Sequence, residues 1–151
     1  MTDKTTRTED PNYRAVTVER VASRHYRAIN AKGDTLDFGQ GEGLLTPVEL
    51  LLAAIAGCSA IDVDVVTGRK SEPETFTVHS SGLRKVDENK AVSLDDIEVS
   101  FNVRFPATEE GEKARSMVDR LIKLSAEKDC TVSRTVEHGA SVTFINEDKQ
   151  S

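Results

Sequence analysis

The stretch TPVELLLAAIAGCSAIDVDVV, residues 46–66, constrains this chain more than any other. It opens with helix-start signals: Thr46 is a good N-cap, Pro47 suits the first helical position, and Glu49, three residues after Thr46, completes a capping box. From Val48 to Val66 apolar residues occupy nearly every helical face, which predicts a helix surrounded by protein on most sides. One small sheet does not readily give that much cover in a chain of 151 residues, so a second subunit is the expected source. The same helix carries Cys58 directly after a glycine, and the chain holds only one other cysteine, Cys130 in KDCTVSRTV. Two distant thiols either form a site or fill space.

Composition limits the answers. Hydrophobic residues make up 37% and charged residues 30%, as in a soluble globular domain able to bury a core without metal or disulfide staples. The net charge of −6, a pI near 5.1, the absence of any basic run and the lack of Trp leave no electrostatic footprint for nucleic acid. Small molecules or proteins are the expected partners. The N-terminus, MTDKTTRTEDPNY, has no apolar core of a signal peptide, and Asp62 and Asp64 break the longest apolar stretch, so no membrane association is expected and a cytoplasmic location is. In that reducing compartment a permanent disulfide is disfavoured, while a transient, catalytic or sensing one is open.

Along the chain, residues 1–12 and 148–151 read as flexible tails around a single domain over 13–147. YRAVTVERV, RHYRAINA and DTLDF alternate as strands, with a turn at Lys32-Gly33-Asp34. GQGEGLL is a glycine-rich loop that matches neither phosphate-binding pattern and leads into the long helix. ETFTVHSSGLRKV and VSLDDIEVSFNVRF read as a large antiparallel hairpin joined by DENKA. TEEGEKARSMVDRLIKLSAEKDC has helical spacing, with Cys130 just past its end. Gly139 separates two expected terminal strands, TVSRTVE and ASVTFIN. The order β-β-β-α-β-β-α-β-β predicts an α+β fold rather than a doubly wound parallel one.

Neither a metal site nor a Cys-His hydrolase is expected. His25, His79 and His138 are scattered, and none has metal-ligand spacing with another or with a cysteine. The thiols remain. Cys58 has a purely structural reading, since free cysteine is among the most buried residue types and packs as a small hydrophobe. Cys130, among polar residues at a helix end, suits a filler role less well.

TPVELLLAAIAGCSAIDV, followed by two long strands, a second helix and EKDCTVS, resembles the OsmC/Ohr family of osmotically inducible and organic-hydroperoxide-resistance proteins, and is most similar to its OsmC-like redox branch. The resemblance covers residues from about 14 to 146. It implies an OsmC-like fold in which antiparallel sheets surround a buried, cysteine-bearing central helix, in an intertwined homodimer with sites at the interface. It implies peroxiredoxin-like chemistry without a cofactor: Cys58 attacks a small organic hydroperoxide and becomes a sulfenic acid, Cys130 resolves it as a disulfide, and a dithiol, notably a protein-bound dihydrolipoyl group, reduces the disulfide.

That chemistry needs a thiolate, and free cysteine has a pKa of about 8.5. Cys58 sits about three turns inside its helix, where the N-terminal dipole has faded. The family takes its cation from an arginine in the N-terminal hairpin; Arg24 matches that position best, with Arg20 and Arg27 as rivals. Asp62, one turn beyond Cys58 on the same face, must be paired, turned away or part of the site. The hydroperoxide-resistance pattern opens this helix with Asn-Pro-Glu, but here Val48 follows the proline and Glu49 comes one residue later. That shift rotates the side chain by about 100°, so Glu49 is expected to act as a cap rather than as the arginine's partner. The competing expectation is a non-catalytic protein that binds a small molecule or senses redox state.

Overall fold

The computed structural model describes residues 4–148. Its elements run α1 (Lys4–Thr8), β1 (Val16–Ala22), β2 (His25–Asn30), β3 (Thr35–Gly39), α2 (Pro47–Thr67), β4 (Thr75–Val86), β5 (Val92–Arg104), α3 (Glu109–Leu124), a π-helical turn (Ser125–Asp129) and α4 (Thr131–His138). This is an α+β chain with two antiparallel sheets, divided into two compact units between Leu50 and Leu51. The ends of both expected tails, residues 1–3 and 149–151, lie outside the described residues.

In the first unit β2 lies between β1 and β3. The β2–β3 turn forms as its sequence predicts: Asn30 Oδ1 accepts the Lys32 and Asp34 amides at 3.0 and 2.9 Å, and Gly33 takes φ +89°, a conformation that L side chains resist. Register then sets Arg27 opposite Asp37, and the two form a bidentate pair at 2.7 and 3.1 Å. Gly39 closes β3 against the β1–β2 turn, where an added Cβ would lie 2.0 Å from the Arg24 carbonyl oxygen. The loop after it delivers the chain to α2. Both halves of the capping box are made: the Thr46 amide donates to Glu49 Oε1 at 2.9 Å and the Glu49 amide to Thr46 Oγ1 at 3.2 Å.

The second unit contains the hairpin, with β4 and β5 paired from Thr75–Arg104 to Val86–Val92. Asp87 Oδ1 holds its turn by accepting the Asn89 and Ala91 amides at 2.8 and 2.9 Å. Thr108 caps α3, its Oγ1 accepting the Gly111 amide at 3.0 Å, and α3 buries Ala114 and Leu121. The most completely buried side chains are Ile55, Val63, Thr67, Ser125 and Cys130. The second cysteine is therefore part of the core.

Two expectations about the C-terminal quarter are overturned. TVSRTVE is helix α4, not a strand. Its threonines and valines favour strands, but Val132 and Val136 are spaced by one helical turn, Cys130 caps the N-terminus and Gly139, at φ +74°, ends the helix by donating to Thr135 O at 2.9 Å. ASVTFIN forms no strand among the described residues; the segment leaves Val142, Phe144 and Ile145 exposed. A strand exists only when another backbone pairs with it.

The long helix is expected to draw cover from a second subunit as well as from its own chain. α2 buries a stripe at Ile55, Ala56, Ser59, Val63 and Thr67, while Val48, Leu51, Ile61 and Val65 are exposed. By length and composition alone α2 is also apolar enough to cross a membrane, although it carries Asp62 and Asp64.

The capping box gives a test. Thr46→Ala should lower stability by about 1 kcal/mol in thermal or urea unfolding. The Thr46 amide, and then its hydroxyl, hold the Glu49 carboxyl below the usual glutamate range. A depressed value means that the stabilisation is present above the unfolded value and is lost as pH falls through the folded one. Glu49→Ala should therefore lower the Tm at neutral pH and flatten its decline in acid.

Candidate active site

Cys58 lies half-buried in α2, and Cys130 is fully buried where the π-helical turn meets α4. Neither is in a disulfide. The π turn closes with the Cys130 amide donating to Ser125 O at 2.8 Å, the i→i+5 bond that defines such a turn. Cys130 then caps α4 as a serine would, its Sγ accepting the Ser133 amide at 3.4 Å. The Val132 amide of the same turn acts to lower the Cys58 pKa. The start of α4 thus turns a free N–H group toward the Cys130 sulfur.

A polar chain lies beside them. Ser125 Oγ is 2.7 Å from Asp62 Oδ2 and 3.2 Å from Ser59 Oγ. A hydroxyl has one proton, and the carboxylate at the shorter distance takes it. Ser59 then keeps its own proton, which it gives to Ser125 or to Cys130. Asp62 is therefore paired with a hydroxyl rather than a cation.

The two thiols perturb each other's titration and are shifted in opposite directions. Burial pushes Cys58 up; the Val132 amide opposes this, while Cys130 and Asp62 add to it. Burial also acts to raise Cys130, but hydrogen bonds from Ser133, Ser59 and Cys58 outweigh it and leave that thiol below its ordinary value.

The arginines weighed for the thiolate all belong to the first unit. Arg24 sits in the β1–β2 turn at φ +58°, its carbonyl accepting the Gln40 amide at 2.9 Å. Arg20 is exposed on β1. Arg27 is committed to Asp37, whose carboxyl is held down to about 2 by the Arg27 and His25 hydrogen bonds. Glu49 is taken up by its cap. Within the second unit a cavity of about 510 Å³ lies against Ser133. Ile55, Leu94, Ile97, Val99 and Val136 give it an apolar lining, and Asp95, Asp96 and Glu137 also line it. Among the described residues no group of three or more His, Cys, Asp and Glu side chains is placed to hold a metal ion.

Sequence reasoning missed Ser59, Ser125 and the amides of Val132 and Ser133. Reading TVSRTVE as a strand hid the last two, because the donors exist only if that segment is a helix. The available signal was Cys130 itself, a capping side chain one residue before a short run ended by glycine.

The sequence matches the family of OsmC-like proteins over residues 39–145. An uncharacterized protein of Mycobacterium tuberculosis is 30% identical over 130 residues, spanning 84% of this chain and 91% of the relative. An OsmC-like protein of unknown function from Vibrio cholerae has a similar structure, with a TM-score of 0.66 at 14% identity over 83% of this chain and 94% of the other. An organic hydroperoxide resistance protein from Legionella pneumophila gives a TM-score of 0.51 at 18% identity over 84% and 91%.

Ser125→Ala removes the hydroxyl bonded to Asp62 and leaves a gap in the core. It should destabilise the protein by about 1–3 kcal/mol in denaturant unfolding, whereas Ser116→Ala, on the exposed face of α3, should change stability little.

Proposed function

The chain belongs to the OsmC-like protein family, and from that premise we propose that it is a cytoplasmic thiol peroxidase that reduces small organic hydroperoxides through a Cys58–Cys130 disulfide in defence against oxidative stress. The observation that carries this proposal is the pairing of the two cysteines. They lie seventy-two positions apart (130 − 58), yet each perturbs the other's titration, with Cys130 at the N-terminus of α4. Structural cysteines have no need of such a meeting.

In this mechanism the Cys58 thiolate attacks one peroxide oxygen, the O–O bond breaks and an alcohol leaves. The Cys58 sulfenic acid is then attacked by the Cys130 sulfur, which forms the disulfide and releases hydroxide, taken up as water. A dithiol, a lipoyl group being the expected form, returns the pair to the reduced state. The apolar cavity beside Ser133 suits the organic part of a hydroperoxide, and the name of the Legionella protein supports that substrate class. Arg24 remains the proposed cation for Cys58.

A second proposal, a non-catalytic binder or redox sensor of the same family, draws on the raised Cys58 thiol and on Asp62 beside it. One experiment separates the two. Reduced protein treated with cumene hydroperoxide should lose both thiols of each chain, and lose them faster than with hydrogen peroxide. Thiols that stay reduced in excess peroxide would favour the binder. The carboxylates of the cavity add a direction: an uncharged hydroperoxide should react faster than a fatty-acid hydroperoxide anion, most visibly at low ionic strength.

The family match spans the Leu50–Leu51 division, which supports a single OsmC-like domain over 13–147. We further propose a homodimer. Val16, Val18 and Val21 on β1, Ile61 and Val65 on α2, and Val142, Phe144 and Ile145 near the C-terminus are all exposed, more apolar surface than a small monomer leaves in water. Sedimentation should give a mass near twice 16.5 kDa, and Phe144→Asp together with Ile61→Glu should shift the protein toward monomer.

A further inference from the structure

We propose that Gly82 sets the size of the organic group admitted by the cavity beside Ser133, and that the cavity is shaped for a bulky, uncharged group such as an aryl. Binding of that group rests on the geometry of the cavity. Its delivery to the thiols rests on the peroxidase reading proposed above.

One wall of the cavity comes from an irregularity in the hairpin. Between the pairs Ser81–Glu98 and Leu83–Asp95, Gly82 alone faces two residues of β5, Asp96 and Ile97. This is a β-bulge in β5. Asp96 takes the extra backbone step at φ +49°, a left-handed conformation that aspartate tolerates, and its amide donates to Asp95 Oδ1 at 2.8 Å. Lys85 Nζ, 3.1 Å from Asp95 Oδ2 and 3.3 Å from Asp96 Oδ2, ties both carboxylates back to β4. The bulge shifts the phase of the side chains. Residues three apart on a regular strand point to opposite faces, yet Leu94 and Ile97 are both half-buried and line the same cavity, together with Val99. Without the extra residue, Leu94 would face away from it.

Gly82 is where this arrangement needs room. It is not among the glycines with positive φ, so what it supplies is space rather than an unusual backbone conformation. An added Cβ would lie 2.9 Å from Leu94 Cγ, 3.1 Å from Leu94 Cδ2 and 3.2 Å from Ile97 Cγ1, closer than carbon atoms pack. Two cavity side chains thus rest against the bare backbone of Gly82, and a methyl group there displaces them. Ile97 also borders a second hollow at the bulge, beside Ser81 and Leu83, so Leu94 is the side chain through which Gly82 acts. At about 510 Å³ the cavity has the size of a small-molecule site, far more than hydrogen peroxide fills. Ser133 joins it to the chemistry, since it lines the cavity and its amide donates to Cys130 Sγ at 3.4 Å.

The test begins with binding and needs no peroxide. Reduced full-length protein with carbon-13-labelled methyl groups is titrated with cumyl alcohol, the product that cumene hydroperoxide leaves. The methyl signals of Leu94, Ile97 and Val136 should shift, and Gly82→Ala should weaken binding by about tenfold, the effect of a methylene-sized misfit in an apolar pocket. Adding Leu94→Ala to Gly82→Ala removes the atoms that the new methyl group meets and should restore binding. An absence of shifts at the cavity methyls, or a double variant no better than Gly82→Ala, would overturn the proposal. With peroxides, Gly82→Ala should raise the KM for cumene hydroperoxide about tenfold while kcat and turnover of the smaller tert-butyl hydroperoxide change little. Equal losses on both substrates would mark a merely structural role and overturn it. Leu94→Ala alone covers the case in which Gly82→Ala does not fold: it enlarges the cavity and should shift preference from cumyl alcohol toward its naphthyl analogue, and an unchanged preference would count against the proposal. If the alcohols bind and the variants behave as stated but no hydroperoxide is consumed, the role of Gly82 stands and the peroxidase proposal falls.

Discussion

The start of α4 is the feature on which the rest of the site depends. A helix begins with amide groups that have no partner inside it, and the first turn of α4 presents that of Ser133 to the Cys130 sulfur at 3.4 Å. Burial and hydrogen bonds are the main causes of both cysteines' shifts. The π-helical turn makes this possible. It ends α3, buries Ser125 against Ser59 and Asp62, and places Cys130 to cap the next helix.

The arrangement divides labour between two similar groups. Burial acts on both thiols in the same direction, and only the number and kind of donors tells them apart. The exposed apolar residues of β1, α2 and the C-terminal segment are the surface on which the proposed homodimer rests.

Much of this was legible in the sequence where local chemistry decides the structure. Thr46, Pro47 and Glu49 foretold both bonds of the α2 cap, Lys32-Gly33-Asp34 foretold a turn, and the two long β-branched segments foretold the hairpin. Failures came where context overrides propensity. Thr131–His138 carries strand-forming residues but is a helix, because its ends are capped and its valines fall one turn apart. Residues 140–146 read as a strand, yet a strand-like sequence forms no strand without a neighbouring backbone. The contact of Cys58 with Cys130 became legible through a family pattern and not through spacing, and the serines around them had no signal in the sequence, since small hydroxyl residues are common everywhere.

The most direct measurement is a peptide map of protein oxidised with one equivalent of cumene hydroperoxide per chain and digested without reduction. The account predicts a single cross-linked product joining the peptides that contain Cys58 and Cys130 of the same chain. Sulfinic acid on Cys58 with Cys130 still free, or a Cys58–Cys58 link between chains, would contradict it.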